Sequence, residues 1–184
     1  MSQPMPLRTK DAREDTRRRL DSRLLILLLL IVLLGAALRL YDLGAESYWI
    51  DEMSTVIEGQ QTVGQLLGSG RMDQPLAFYL PYRLWLEAFS SGEAGARGFA
   101  AVAGTASIVL IYFVGLKLFG KEVGILSSFF MAIAEFQIFH SQAARFYTFF
   151  EFTVLLSYLF FILSLNSRKR AYFGLYVVVS IVMM

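Results

Sequence analysis

Residues 24–40 are almost pure Leu, Ile, Val and Ala, about seventeen positions, which is the lower limit for a helix that crosses the hydrocarbon of a bilayer. Similar apolar runs recur at 99–119, 123–139 and 146–165. A chain with 56% hydrophobic and 17% charged residues has too little polar surface to present all of that to water. The bilayer is therefore part of its solvent, and the expected fold class is an all-α integral membrane protein, a polytopic helical bundle. There is no cysteine, which excludes a disulfide framework and a thiolate zinc site and leaves the compartment open.

Charge sets the expected topology. Arg8, Lys10, Arg13, Arg17, Arg18, Arg19 and Arg23 precede the first run, and the positive-inside rule reads 1–23 as a basic cytoplasmic N-terminus rather than a nucleic-acid-binding arm. A cleaved signal peptide would also begin with basic residues, but here the basic stretch is long and no small-residue cleavage site follows. Lys117 and Lys121, and later Arg168, Lys169 and Arg170, form the next basic turns and are expected on the same cytoplasmic side.

Between the first two runs lies a polar, glycine-punctuated stretch, 41–98, expected as a long outer loop. Within it, 55–67 suits short helices lying on the membrane surface. Residues 76–89, which carry Pro81, Arg83 and Glu87, are expected as a partly embedded helix. A crossing there would invert everything downstream. The last run, 172–184, is too short to cross a bilayer, so 166–184 reads as a cytoplasmic turn and the start of an incomplete span. Ala96, Ala100 and Gly104, with Ala103 and Ser107, recur four apart and suit close helix packing.

Three polar groups have the residue types for chemistry. Asp51 and Glu52, flanked by Tyr48 and Trp49, offer carboxylates for a general base or for ligating a hard divalent cation; an ordinary solvated loop with interfacial aromatics would look the same. Asp73 and Gln74 precede Pro75, where an acid caps a helix or lines a site. The third group is the polar break from His140 through Ser141, Gln142 and Arg145 to Tyr147. Its arginine could hold a phosphate or snorkel to lipid headgroups, and its lone histidine has no evident ligand partners. Arg97, at the outer start of the second full span, could pair with an anionic lipid or with the carboxylates. Glu135 and Glu151 lie in apolar runs and must be paired, protonated or exposed to a cavity.

Taken in order, these parts resemble the membrane-embedded glycosyltransferases that use polyprenyl-phosphate sugars, the group with protein O-mannosyltransferases and the aminoarabinose lipid A transferase. The likeness rests on a basic N-terminus, one span and an Asp51-Glu52 pair opening the outer loop. It continues with Asp73-x-Pro75-Leu76-x-x-Tyr79, an Arg97-led span, a Leu-Phe-Gly-Lys turn ending at Lys121, and Ser141-Gln142-x-x-Arg145-x-Tyr147. It covers about 20–165 and corresponds to the N-terminal part of enzymes that are normally longer, with a truncated version of their C-type membrane fold over 24–165.

The resemblance implies Asp51 as catalytic base and Glu52 as its neighbour in the site. It implies Asp73, Gln74, Tyr79, Arg97, His140, Gln142, Arg145 and Tyr147 as substrate-binding residues. The implied partners are a polyprenyl-phosphate-linked sugar donor, membrane lipids, and a protein, lipid or glycan acceptor attacking at the outer face of the cell membrane. Charge growing on the departing phosphate would be offset by guanidinium groups or by a divalent cation such as Mg or Mn, and the sequence leaves that choice open. Relatives commonly carry an acid where this chain has Ala143. The rival reading is an inactive truncated paralogue or membrane scaffold whose outer loop binds a partner; a transporter would show two repeats, and no internal repeat is visible. The enzyme reading expects Asp51 buried in an outer cavity beside Arg97 or Arg145, and the scaffold reading expects it exposed on a mobile loop.

Overall fold

The computed structural model describes residues 7–69, 74–167 and 169–182; the side chains of 7–21, Ser69 and Val182 fall outside the description. The described residues form nine helices and no strand: α1 Leu7–Leu40, α2 Ile50–Gly59, α3 Val63–Ser69, α4 Leu76–Ala88, α5 Glu93–Leu118, α6 Lys121–Ile133, α7 Glu135–Ser141, α8 Tyr147–Asn166 and α9 Arg170–Val182. Within α1 the segment Ser22–Leu40, and α5 and α8 whole, are long and apolar enough to cross a membrane. The protein is a helical integral membrane protein. The basic segment before the first run continues the same helix, which the apolar pattern alone did not foretell.

Two expectations about the helices need comment. α4 has 13 residues, about 20 Å at 1.5 Å per residue, and falls short of the hydrocarbon thickness as expected. The run 123–139, expected as one span, is bent: α6 and α7 meet at Ala134 with a bend of 61°. Ala134 is extended at φ −63°, ψ 120°. Its N–H still bonds the Phe130 carbonyl (2.9 Å) and its own carbonyl accepts Ile138 N–H (3.0 Å), so one helix stops and another starts across a single residue. Glu135 occupies the first turn of the new helix, where the dipole favours a negative charge.

Small residues set the packing. Ala96, Ala100, Ala103, Gly104 and Ser107 are all buried on α5, the helix that packs against α1, α6, α7 and α8. Thr148 Oγ1 donates to Ala100 O (3.0 Å) near the starts of α8 and α5, so those two helices begin at the same end of the bundle. Arg39 near the end of α1 bonds Ala132 near the end of α6 (3.0 Å), which brings the ends of α1 and α6 together. Glu52 on α2 joins the start of α5 through Arg97 (2.8 Å). α2, α4 and the α7–α8 turn gather at one end of the bundle, around a core of Val56, Phe78, Tyr82, Leu86 and Ala96. The ring of Phe78 stacks on Tyr82 at 5.0 Å and meets Phe99 of α5 edge-on at 5.9 Å.

Candidate functional site

Consecutive residues on an α-helix point about 100° apart, so Asp51 and Glu52, both in the first turn of α2, cannot face the same way. Glu52 turns inward and is 3% exposed, whereas Asp51 is exposed. Glu52 closes the start of its own helix by accepting the Trp49 N–H on Oε2 (3.1 Å). The same carboxylate accepts Arg97 Nε on Oε1 (2.9 Å), Arg97 Nη2 on Oε2 (2.8 Å) and the Ala144 N–H on Oε1 (2.7 Å). Arg97 Nη1 donates to Leu43 O (3.1 Å) and Glu46 O (2.8 Å), and Nη2 also to Ser47 O (3.2 Å).

An arginine has five N–H donors in a planar fork, and Arg97 spends all five on this chain. The pair therefore gathers the 43–47 turn, the start of α2, the start of α5 and the α7–α8 turn on one bidentate ion pair. Burial works to raise the Glu52 carboxyl, but the hydrogen bonds from Arg97 and from the Ala144 and Trp49 amides outweigh it and hold the group below the usual carboxylate range. Beside the pair, Tyr48 donates its hydroxyl to Ser91 O (2.8 Å) and lies 5.6 Å from the guanidinium. Burial, helped by the charge of Glu93, pushes its phenol up to about 12.

The turn between α7 and α8 supplies the opposite wall. Arg145 Nη1 donates to the Asp51 carbonyl (2.9 Å) and to Thr55 Oγ1 (2.8 Å), and its remaining nitrogens have no hydrogen-bond partner among the described residues. His140 is wedged between Phe136 (4.3 Å) and Tyr147 (4.7 Å), edge to face. Gln142 Nε2 donates to Leu38 O and Tyr41 O (both 3.0 Å), capping carbonyls at the end of α1 that helix geometry leaves without partners.

A cavity of about 650 Å³ opens between these walls, lined by Trp49, Asp51, His140, Gln142, Arg145 and Tyr147, with Glu52 and Arg97 at its back. Asp42 and Glu46 also border it, so one wall is anionic and the other carries Arg145 and His140. A space of this size, with aromatic surfaces, exposed acids at Asp42, Glu46 and Asp51 and one partly uncommitted guanidinium, has the components of a small-molecule site.

The structure thus brings Asp51, Glu52, Arg97, His140, Gln142, Arg145 and Tyr147 around one space, although they span nearly a hundred positions of chain. Asp51 lines the cavity with Arg145, which bonds its backbone carbonyl, and it is exposed on a helix rather than buried or on a loop. Tyr79 and Gln74 do not line the cavity. Tyr79 is buried in the core and donates its hydroxyl to Glu58, and Gln74 is buried beside α4. Asp73 lies outside the described residues. No three His, Asp or Glu side chains among the described residues approach closely enough to hold a metal ion.

Over residues 73–184 the chain matches the family model described as dolichyl-phosphate-mannose-protein mannosyltransferase. The chain belongs to this family. It is thereby a member of a membrane glycosyltransferase family, and the match includes Arg97 and the 140–147 turn. Asp51 and Glu52 precede the matched segment of this mannosyltransferase-family chain; Glu52 is bound to it through Arg97 and the Ala144 amide. No curated protein and no solved structure matches the chain.

Some contributors escaped the sequence reading. The Ala144 amide and the Asp51 carbonyl are backbone groups and carry no sequence signal. Thr55 shows as one more polar residue on a short helix. Arg39 does have a signal, an ionisable residue at membrane depth.

Proposed function

We propose that this chain builds the outer-face part of a site that moves a sugar from a polyprenyl-phosphate donor to an acceptor hydroxyl or amine. The observation that carries the reading is that the exposed acid Asp51 and Arg145, which bonds the Asp51 backbone carbonyl, line one cavity at one end of a membrane bundle. In the reaction, the Asp51 carboxylate takes the proton of the acceptor as its oxygen or nitrogen bonds the anomeric carbon. The bond from that carbon to the phosphate oxygen breaks, and the polyprenyl phosphate leaves with the electron pair.

Arg145 is the group suited to the growing phosphate charge, because its Nε and Nη2 are uncommitted while Nη1 fixes its position on α2. His140 and Tyr147 offer polar edges and ring faces to the sugar, and Trp49, 66% exposed, offers a larger one. Glu52 and Arg97 belong to the site by holding its walls together rather than by touching substrate, since their polar atoms are committed to each other and to the backbone. Asp73 and Gln142 remain proposed neighbours of donor or acceptor, whereas Gln74 and Tyr79, buried away from the cavity, support it from behind. The cytoplasmic N-terminus and the outer placement of 41–98 follow from the basic turns.

The test is sugar release from a radiolabelled polyprenyl-phosphate hexose by membranes containing the protein, native against Asp51→Asn. Loss of a general base lowers the rate by about 10²- to 10⁴-fold. Native activity in Asp51→Asn, at equal expression, would demote Asp51 to a surface residue, and sugar release by neither form would favour the scaffold reading, which the exposure of Asp51 also suits.

A further inference from the structure

Arg39 is the most thoroughly buried charged side chain described, 0% exposed, although it sits in the apolar segment Ser22–Leu40. An ionised side chain at such a place is costly unless hydrogen bonds offset its burial. Its Nη1 donates to Gly35 O and to Ala132 O, its Nη2 to Met131 O, and its Nε to Ser141 Oγ, at 3.0, 3.0, 3.0 and 3.1 Å. Ser141 Oγ in turn donates to Gln137 O (2.6 Å).

These acceptors share a feature beyond being near. Because the helix breaks at Ala134, the carbonyls of Met131 and Ala132 have lost the N–H groups four residues on that a continuous helix would supply. Arg39 replaces both bonds from outside, and its charge stands at the negative end of the α6 dipole. With its third nitrogen it reaches across the break to Ser141, the last residue of α7. One guanidinium thus grips both sides of the 61° bend. The space for it is provided by two glycines. A Cβ on Gly104 would strike Ser141 Oγ and come within 3.1 Å of Arg39 Nε, and one on Gly35 would come within 3.2 Å of Nη1.

We infer that Arg39 is a positioning residue that clamps the α6–α7 break and thereby sets the angle at which α7 presents His140 and the following turn to the cavity, opposite Asp51. The catalytic part of this inference rests on the transferase reading; the conformational part stands without it. Release of the clamp lets α7 swing towards the α6 axis, and straightening a seven-residue helix through that bend carries its far end by roughly 10 Å at 1.5 Å rise per residue. Because the wall carries the phosphate-facing Arg145 just beyond α7, even a fraction of that movement separates the groups that must act together.

The chain contains no cysteine, so spin-label pairs can be introduced one at a time in the full-length protein in membranes. One pair, at Ile50 and Phe139, both exposed, spans the cavity from α2 to α7. A control pair, at Phe113 and Leu126, both exposed, reports the α5–α6 packing and omits α7. In Arg39→Met the cavity distance is expected to shift or broaden by several Å, of the order of the roughly 10 Å swing, with the control pair unchanged. Ser141→Ala, which cuts only the link to α7, should broaden the cavity pair less and leave the control pair native. Arg39→Lys, which keeps the charge but loses the planar fork, should fall between. An unchanged cavity pair in Arg39→Met overturns the inference, and so does equal loss of order in both pairs, which would mean a general structural role. In the sugar-release assay, Arg39→Met should lower kcat by 10-fold or more with less change in the KM for donor. If the native protein releases no sugar while the Arg39→Met distances shift as stated, the transferase reading falls and the clamp survives.

Discussion

Asp51 and Glu52 are chain neighbours with opposite environments, and their substitutions should separate accordingly. Removing one partner of a buried, hydrogen-bonded ion pair leaves the other charge uncompensated, at a cost of about 3–5 kcal/mol. Glu52→Ala, which strands the Arg97 guanidinium, should therefore lower the thermal midpoint of the detergent-solubilised protein sharply, whereas Asp51→Asn, at an exposed position, should stay within about 0.5 kcal/mol of native. The pH dependence has a definite sign. The Glu52 carboxyl is held below its unfolded value, so its contribution to stability is full above the unfolded pKa of about 4.3 and is lost as pH falls through the lower folded value. Thermal unfolding followed from pH 7 down to pH 3 should show that acid loss, and Arg97→Met, which already lacks the pair, should show less of it.

At the scale of elements, the bundle depends on close approach rather than on bulky apolar interdigitation. A Cβ placed on Gly115 of α5 would lie 2.8 Å from Gly124 Cα and 3.1 Å from Gly124 N of α6. Those neighbours are backbone and cannot rotate away. Gly115→Leu is expected to push α5 and α6 apart and cost about 1–3 kcal/mol or more, the usual range for overpacking, measured as a fall in thermal midpoint. The apolar helices 22–40, 93–118 and 147–166, the short helices between the first two, and the small-residue stripe on α5 were legible in the sequence, because hydropathy and residue size act locally and repeat with the helix period. The break at Ala134 was not. No proline or glycine marks it, and its carbonyls are satisfied by an arginine more than ninety positions away.

For the whole molecule, the close of α1, the close of α6 and the starts of α5 and α8 share one end of the bundle, and the basic turns lie away from it, where the positive-inside rule would put the cytoplasm. In intact cells or spheroplasts, an impermeant thiol reagent should therefore label Ile50→Cys from outside, and label Phe119→Cys only after the membrane is opened. Both positions are exposed. The reverse pattern would place the cavity on the cytoplasmic side and remove the outer-face transfer proposed above.

The sequence by itself determined that the chain lives in a bilayer, roughly where it crosses, and which polar clusters stand out from apolar surroundings. Its motif order also pointed to the glycosyltransferase family that the matched segment bears out. Tertiary structure alone decided the roles within those clusters. Helical rotation turned Glu52 inward and Asp51 outward, and three backbone carbonyls from the 43–47 turn helped saturate Arg97. A backbone amide at Ala144 tied the two distant polar segments to one carboxylate. A hydrogen bond to a backbone group leaves no trace in residue identity, so a residue type announces that it can carry charge, while only the fold says which partners that charge will meet.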